Sequence, residues 1–302
     1  MKKIILDTDL GGDCDDAAAI VLLNKFHNAG LVKVECMLYS NSFKKGARLT
    51  DVINEYYGNR FEIGILKQNQ LHIKYNKPFA EKVLDTLNKN GEKDYADANT
   101  LLYEKLIGAE NNSITVICIG QLRNISNFLK SDFNGVSGRT IFNEKVEKLV
   151  IMGGNFSQEG EYFTFCGTKF KGEYNFITDL DSVFTVIEKV KIPTYYSDFT
   201  VGQDIFTLGR LSEKCDEGNP VSLSYKIFQN GPRYSWDPLT VLFGVFGENG
   251  YFATKKGKVS VDKNGKSTFC ACENSNSYVV SLIKSKKETD DFVESFFKEE
   301  IK

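Results

Sequence analysis

The ten residues from Asp7 to Asp16 hold five carboxylates, in the segment DTDLGGDCDD. Like charges at this density repel one another unless a cation or hydrogen bonds compensate them. Carboxylate oxygens are the ligands that Ca²⁺ and Mg²⁺ prefer, and the segment contains neither an imidazole nor a pair of thiols. The segment therefore predicts a site for a hard divalent cation. An acidic turn that only caps a helix is the simpler alternative.

Two other kinds of acidic site can be compared with this segment. An EF-hand loop needs Asp or Asn where Gly11 stands and Glu near the position of Ala18, so the pattern excludes it. An Asp-x-Asp pair such as Asp7 and Asp9, at the end of a first strand, resembles the haloacid dehalogenase phosphatases. Their pattern has Thr or Val where this chain has Gly11, and a phosphatase therefore stays open as a weaker alternative.

The elements around the acidic segment indicate where it lies. An apolar run at residues 3–6 predicts a strand before it, and apolar residues from 17 up to Gly30 predict a helix after it. Asp15 and Asp16 are neighbours at the start of that helix, where successive side chains diverge by about 100°. One of them can therefore bind the cation while the other faces a substrate.

The alternation of strands and helices continues through about the first two thirds of the chain. Further strands are predicted at 32–38, 62–66, 114–119, 149–152 and 194–197, with helices around 49–56, 122–129 and 181–190. This pattern predicts an α/β fold with a mostly parallel, Rossmann-like sheet flanked by helices. Ligands of such folds bind at the carboxyl ends of the strands.

The C-terminal part has a different pattern, with short strands and turns. Predicted strands at 251–254, 258–262 and 267–272 surround a hairpin signal at Lys263-Asn264-Gly265. A closing helix follows, with an apolar face of Phe292, Val293, Phe296, Phe297 and Ile301. We expect residues 250–285 to form a small β-hairpin appendage on a single domain of residues 1–302, because no Pro/Gly/Ser-rich linker precedes them.

The overall charge argues against a partner that is held by bulk electrostatics. The chain has 38 Lys and Arg against 40 Asp and Glu, with a net charge of −2, and so lacks the basic field that binds nucleic acid or anionic membranes. It has no apolar stretch of about 18 residues and no secretory leader pattern. Its seven cysteines are an odd number. We expect a soluble cytoplasmic protein with reduced thiols.

The acidic segment, read as Asp-Thr-Asp-x-Gly followed by Asp-Asp-Ala-x-Ala-Ile, resembles the opening motif of the inosine-uridine preferring nucleoside hydrolase family. Five further positions resemble motifs of that family in the same order: Asn41, Ile119-Gly120-Gln121-Leu122-Arg123-Asn124, Met152-Gly153-Gly154, Glu173-Tyr174-Asn175 and Ser235-Trp236-Asp237-Pro238-Leu239. The resemblance implies hydrolysis of the N-glycosidic bond of ribonucleosides with a bound Ca²⁺. It also implies a small riboside as substrate and a homo-oligomer, either a dimer or a tetramer.

The resemblance assigns roles residue by residue. Asp9, Asp16 and Asp237 would be the carboxylate ligands of the metal, and the backbone carbonyl of Ile119 would be a fourth protein ligand. Asp9 would also be the general base for the attacking water. Departure of the base leaves an oxocarbenium-like ribosyl cation, which the surrounding carboxylates would stabilise. Four polar residues would hold the sugar hydroxyls: Asp15, Asn41, Glu173 and Asn175.

The chain departs from the family pattern at two places. Three residues, instead of one, separate Gly11 from Asp15, so Asp13 is an additional candidate that could replace Asp16 as a ligand or cap the helix. Trp236 stands where many members have the His that acts as leaving-group acid. An indole N–H cannot donate a proton at neutral pH, although its ring can stack on a base or sugar. A non-catalytic protein that only binds nucleosides or sugars is therefore the main alternative to an enzyme.

The remaining candidates for chemistry are weaker. His27 lies late in the first helix, where we expect a surface position, and His72 lies in a polar loop of the kind that can cover a substrate. Cys270 and Cys272 would point to the same side of a strand, but two thiols alone are a weak metal signal. Three aromatic residues could line the substrate pocket or belong to the core: Tyr162, Phe163 and Phe165.

Overall fold

The computed structural model describes residues 1–68, 70–71, 79–157, 162–165, 168–207 and 218–298, with the backbone alone for 162–165 and 168–171. Its strands are β1 (Lys2–Thr8), β2 (Val32–Tyr39), β3 (Ile63–Ile65), β4 (Ala96–Asp97), β5 (Ile114–Cys118), β6 (Asp132–Phe133), β7 (Val136–Ser137), β8 (Val146–Met152), β9 (Tyr162–Phe165), β10 (Thr168–Lys171), β11 (Thr194–Ser197), β12 (Phe206–Thr207), β13 (Arg233–Tyr234), β14 (Phe252–Val261), β15 (Ser267–Ala271) and β16 (Ser277–Leu282).

The described ranges also contain twelve helices. They are α1 (Asp15–Asn28), α2 (Lys44–Tyr56), α3 (Phe79–Thr86), α4 (Ala98–Ile107), α5 (Arg123–Lys130), α6 (Gly138–Lys145), α7 (Tyr174–Ile177), α8 (Leu180–Lys189), α9 (Phe199–Gly202), α10 (Pro220–Phe228), α11 (Trp236–Phe246) and α12 (Lys286–Ser295). None of the described helices is long and apolar enough to cross a membrane.

A single large sheet organises the fold. Within the described residues it has ten strands in the order β15-β14-β16-β11-β8-β5-β1-β2-β3-β4. All neighbouring pairs from β16 to β4 are parallel, whereas β14 is antiparallel to both β16 and β15. The predicted α/β fold with a mostly parallel sheet is therefore confirmed.

Both faces of the sheet are buried, which explains why its central strands are almost continuously apolar. On β1, Ile4 and Leu6 belong to one hydrophobic cluster and Ile5 to the other, because successive side chains of a strand point to opposite faces. The first cluster includes apolar residues of α1, α2, α10 and α11. The second includes those of α4, α5, α6 and α8.

The C-terminal strands continue this sheet at one edge. The two short strands predicted at 251–254 and 258–262 form one strand, β14, which turns into β15 through the predicted hairpin. The sequence interpretation missed β16, which lies parallel to β11 and connects the hairpin to the sheet. The closing helix α12 packs Val293 into the first cluster, and Phe297 joins the same cluster just after the helix ends. Ile301 lies outside the described residues.

Helix α11 packs against the sheet at a glycine, Gly244, which faces Ile117 of β5. A Cβ atom at Gly244 would lie 2.4 Å from Cδ1 of Ile117 on β5, so the absent side chain sets how closely the helix approaches the strand. The N-terminus of the same helix carries Asp237. The packing at Gly244 therefore contributes to the position of a candidate site residue.

We predict that Gly244→Val lowers the free energy of unfolding by about 1–3 kcal/mol, the usual cost of overpacking a core. Urea denaturation measures this change. Gly91→Val is the control, because a Cβ at Gly91 would meet no atom of the described residues within 4 Å. Equal stability of the two variants would contradict the proposed close packing.

Candidate active site

The candidate residues gather at the carboxyl ends of the parallel strands, as the fold class predicts. Asp9 follows β1, Asn41 follows β2 after one residue, and Ile119 follows β5. These three strands are adjacent in the sheet, in the order β5-β1-β2. The N-termini of α1 and α11 bring further carboxylates to the same edge.

Three carboxylates form the centre of the site. Asp15, Asp16 and Asp237 each offer an oxygen, and these oxygens lie within 4.8 Å of one another. Asp15 also accepts a hydrogen bond from the backbone N–H of Asp237 at 3.1 Å, which joins the starts of α1 and α11. Thr8 donates its hydroxyl to Asp16 at 2.5 Å. Residues more than 200 positions apart in sequence thus meet at one point.

The cluster is electrostatically unfavourable without a cation. Burial raises the pKa of Asp15, Asp16 and Asp237 well above the ordinary value for aspartate, and the negative charges of neighbouring aspartates raise the pKa of Asp16 and Asp237 further. Because these oxygens lie within 4.8 Å of one another, one ion could contact all three at the 2.3–2.6 Å distances of Ca²⁺. The donor set therefore fits a hard divalent cation.

Asp9 lies beside this cluster and is more accessible. Asp9 is 8% exposed, against 2%, 2% and 4% for Asp15, Asp16 and Asp237. Gln121 donates its amide to Asp9 at 2.9 Å, which fixes the orientation of the carboxylate. Gly120 makes this approach possible, because a Cβ there would lie 2.7 Å from Asp9 Oδ1.

Two of the predicted sugar-binding residues, Asn175 and Glu173, make different contacts in the structure. Asn175 donates its amide to the carbonyl of Ile119 at 3.2 Å and to that of Met152 at 3.3 Å, so it lies at the expected ligand carbonyl. Glu173 instead caps α7: its carboxylate accepts backbone N–H groups of Gly154, Asn175 and Phe176 at 2.7–3.1 Å. Burial raises the pKa of Glu173 to about 7.

Asn41 and Trp236 have specific structural partners. The side-chain oxygen of Asn41 accepts the backbone N–H of Phe43 at 3.2 Å, just before α2. The indole N–H of Trp236 donates to the carbonyl of Phe199 at 2.8 Å, and the indole packs closely on Gly202, where a Cβ would lie 2.5 Å from its Cδ1. Its polar atom is therefore engaged with the protein, and only the ring is left to contact a ligand.

Asp13 forms an ion pair at the edge of the site. Both of its carboxylate oxygens accept hydrogen bonds from the guanidinium of Arg233, including a contact between Arg233 Nε and Asp13 Oδ1 at 2.8 Å. Asp13 also accepts the backbone N–H of Cys14, the residue before α1, at 2.7 Å. The additional carboxylate of the longer loop is therefore compensated by an arginine and lies outside the three-carboxylate cluster.

A family model named inosine-uridine preferring nucleoside hydrolase matches residues 4–290. The chain belongs to this family. No curated protein sequence matches the chain. Solved structures with the same fold include a plant nucleoside hydrolase (16% identity, TM-score 0.75, 98% of each chain) and the inosine-uridine preferring nucleoside hydrolase from Bacillus anthracis (17%, 0.74, 99% of this chain and 100% of the other). They also include the type III effector protein XopQ complexed with adenosine diphosphate ribose, with 13% identity and a TM-score of 0.68 over 100% of this chain and 94% of the other.

Family membership places the aspartate cluster in a chain of the nucleoside hydrolase family, and the cluster could bind a metal ion. The structure differs from the expected grouping of residues in one respect. Asp15, which the nucleoside hydrolase motif assigns to the sugar, shares the cluster with Asp16 and Asp237 and accepts the backbone N–H of Asp237. The individual roles of Asp9, Asp15, Asp16, Asp237 and Ile119 stay predictions.

Other candidates lie apart from this candidate site or outside the described part of the chain. His27 accepts the backbone N–H of Val34 at 3.2 Å and packs edge-on against Phe61. His72 lies outside the described residues, and the side chains of Tyr162, Phe163 and Phe165 are likewise not described. Cys270 and Cys272 are exposed, free thiols at the outermost strand of the sheet.

The family resemblance assigned no role to two residues that lie within its own motifs. Gln121 stands where the nucleoside hydrolase motif has Pro, and this replacement of an apolar by a polar residue was the available signal. Asp7 is fully buried and accepts the amide of Asn124 at 3.0 Å, which ties the end of β1 to α5. Burial raises the pKa of Asp7 well above its ordinary value.

We predict that Asp237→Ala abolishes tight binding of Ca²⁺, because it removes one of three converging oxygens, while the protein stays folded. Isothermal titration calorimetry of Ca²⁺ and circular dichroism measure the two properties. Asp262→Ala, in the exposed hairpin turn, is the control. Full metal binding by the Asp237 variant would contradict the assignment.

Proposed function

We propose that this protein is a Ca²⁺-dependent hydrolase that cleaves the N-glycosidic bond of ribonucleosides or related ribosides. The observation that carries the proposal is the convergence of three buried carboxylates with the more accessible Asp9 at the carboxyl edge of the sheet, in a chain of the nucleoside hydrolase family. Oxygen ligands favour Ca²⁺ over the transition metals. We expect the enzyme to act on small ribosides in the cytoplasm, in purine or pyrimidine salvage, as a homo-oligomer.

The metal would be held by Asp9, Asp16, Asp237 and the carbonyl of Ile119, and the position of Asp15 makes it a further candidate ligand. When bound, the cation supplies Lewis-acid polarisation of water and attraction for the ribose diol. Asp15, Asn41, Glu173 and Asn175 are the proposed contacts of the sugar hydroxyls. For Glu173 such a contact would add to its three backbone hydrogen bonds, since each carboxylate oxygen has more than one acceptor position.

Asp9 is the proposed general base. Its greater exposure allows contact with the attacking water, and Gln121 holds its carboxylate in one orientation. The water oxygen bonds to C1′ of the ribose as its proton passes to Asp9. The bond from C1′ to the base breaks, and its electron pair leaves with the base. The neighbouring carboxylates stabilise the positive charge that develops on the sugar.

The leaving group is the point at which this chain differs from many relatives. Trp236 stands at the position of their acid, and its N–H is donated to a backbone carbonyl. Its ring can still form a stacking surface for the base. We therefore propose that the base departs without a proton from this position.

An assay of reducing sugar released from a panel of ribonucleosides tests the proposal. We predict that the protein releases ribose, and that Asp9→Asn lowers kcat by about 10²–10⁴ because an amide cannot accept the proton. Substrate affinity should change little. Normal turnover by Asp9→Asn would show that another group activates the water.

The same assay distinguishes the alternatives. Binding of nucleosides or of adenosine diphosphate ribose without release of sugar would indicate a non-catalytic binding protein. Release of phosphate from ribose phosphates would instead indicate a phosphatase. Either result would overturn the proposed reaction.

We further predict that a p-nitrophenyl riboside is hydrolysed far faster than inosine or uridine, because nitrophenolate needs no proton to leave. Trp236→His should narrow this difference by restoring an acid, at a cost in binding of about 1–3 kcal/mol if the indole stacks on the base. The measurement is kcat/KM for each substrate. Comparable values for inosine and the nitrophenyl riboside in the unmodified protein would mean that another residue supplies the proton.

A further inference from the structure

Arg233 is held rigidly beside Trp236. Its Nε and Nη2 atoms donate to the carboxylate of Asp13, and its guanidinium carbon lies 5.0 Å from the ring centre of Trp236. The same guanidinium lies 5.6 Å from the ring of Phe228 and 5.9 Å from that of Tyr234. Bidentate pairing and stacking on aromatic rings are the contacts that fix an arginine in one orientation.

The two departures from the family pattern meet in this contact. Asp13 belongs to the longer acidic loop, and Trp236 replaces the leaving-group acid. Arg233 touches both, although they are more than 200 residues apart. The change in the loop and the loss of the acid are therefore connected through one side chain.

Arg233 stays charged at this position. Burial would lower the pKa of its guanidinium, but the hydrogen bonds and negative charge of Asp13 outweigh this effect and raise the pKa above the ordinary value for arginine. The residue consequently cannot supply a proton to a departing base. Its Nη1 group donates to no acceptor in the part of the chain that the structure describes, and the side chain is 25% exposed.

We propose that Arg233 determines leaving-group specificity by stabilising the negative charge of a base that departs unprotonated. This inference rests on the proposed riboside hydrolysis. The glycosidic bond breaks with its electron pair on the leaving group, water bonds to C1′, Asp9 takes the proton of that water, and the released anion is later protonated by solvent. The favoured substrates are then ribosides of acidic oxo-bases, whose anions are the most stable.

The test compares two ribosides whose leaving groups depart with different charges. p-Nitrophenyl riboside releases an anion, whereas nicotinamide riboside carries a positive pyridinium and releases neutral nicotinamide. Arg233→Met should lower kcat/KM for the nitrophenyl riboside by about 10²–10³, the effect of removing one preorganised electrostatic partner. It should leave kcat/KM for nicotinamide riboside unchanged within about threefold, since no negative charge develops there.

Two further variants separate this role from a structural one. Arg233→Lys keeps the charge but not the bidentate geometry, and should recover part of the loss on the nitrophenyl riboside. Arg48→Met is the matched control, because Arg48 also pairs with a buried aspartate, Asp51, but on α2. Arg48→Met should not change the ratio of kcat/KM for the nitrophenyl riboside to kcat/KM for nicotinamide riboside.

The outcomes distinguish this inference from the proposed function. If the unmodified protein hydrolyses neither substrate, the proposed function is wrong and this role fails with it. If it hydrolyses both but Arg233→Met lowers both equally, the hydrolase stands and the specificity role of Arg233 is overturned. The specificity role of Arg233 would also be overturned if kcat/KM for the nitrophenyl riboside were no higher in Arg233→Lys than in Arg233→Met.

Discussion

The repulsion between buried carboxylates is the constraint on which the rest of this structure depends. Asp15, Asp16 and Asp237 have lost most contact with water, and the charges of Asp15 and Asp16 raise the electrostatic cost of ionising Asp237. The fold keeps them together by placing the starts of two helices at one edge of the sheet, where a cation can offset their charge. Because its carboxylates repel one another, such a site contributes little to the stability of the fold. The same concentration of negative charge suits it to binding a metal ion or stabilising a positive charge on a ligand.

Much of the fold could be predicted because the sheet is parallel and covered on both faces. Buried central strands give nearly continuous apolar runs, and β5, predicted at 114–119, spans Ile114–Cys118 in the structure. The strand bounds were predicted less well where the sheet is no longer parallel and covered on both faces. Lys255, Lys256 and Gly257 interrupt the hydrophobic pattern of β14, which is antiparallel and only partly buried, so one strand was interpreted as two.

The site was predictable as a set of motifs but less so as a set of contacts. The predicted strands end close to the acidic loop, Asn41 and Ile119, so the sequence pattern predicted that these residues lie at the carboxyl ends of strands. It could not show that Asp13 pairs with Arg233 or that Glu173 caps a helix, because such pairs depend on how loops pack in three dimensions. Polar residues in loops have many possible partners, and sequence alone does not choose between them.

The place of β16 in the sheet has a consequence for synthesis of the chain. β11 is complete at Ser197, yet the strand that covers its outer edge begins at Ser277. While the ribosome adds the intervening residues, β11 presents an unpaired edge, and exposed edges of this kind recruit strands from other chains. Pairing over so long a separation is also slow. The nascent protein is therefore most vulnerable to aggregation just before its last strand emerges.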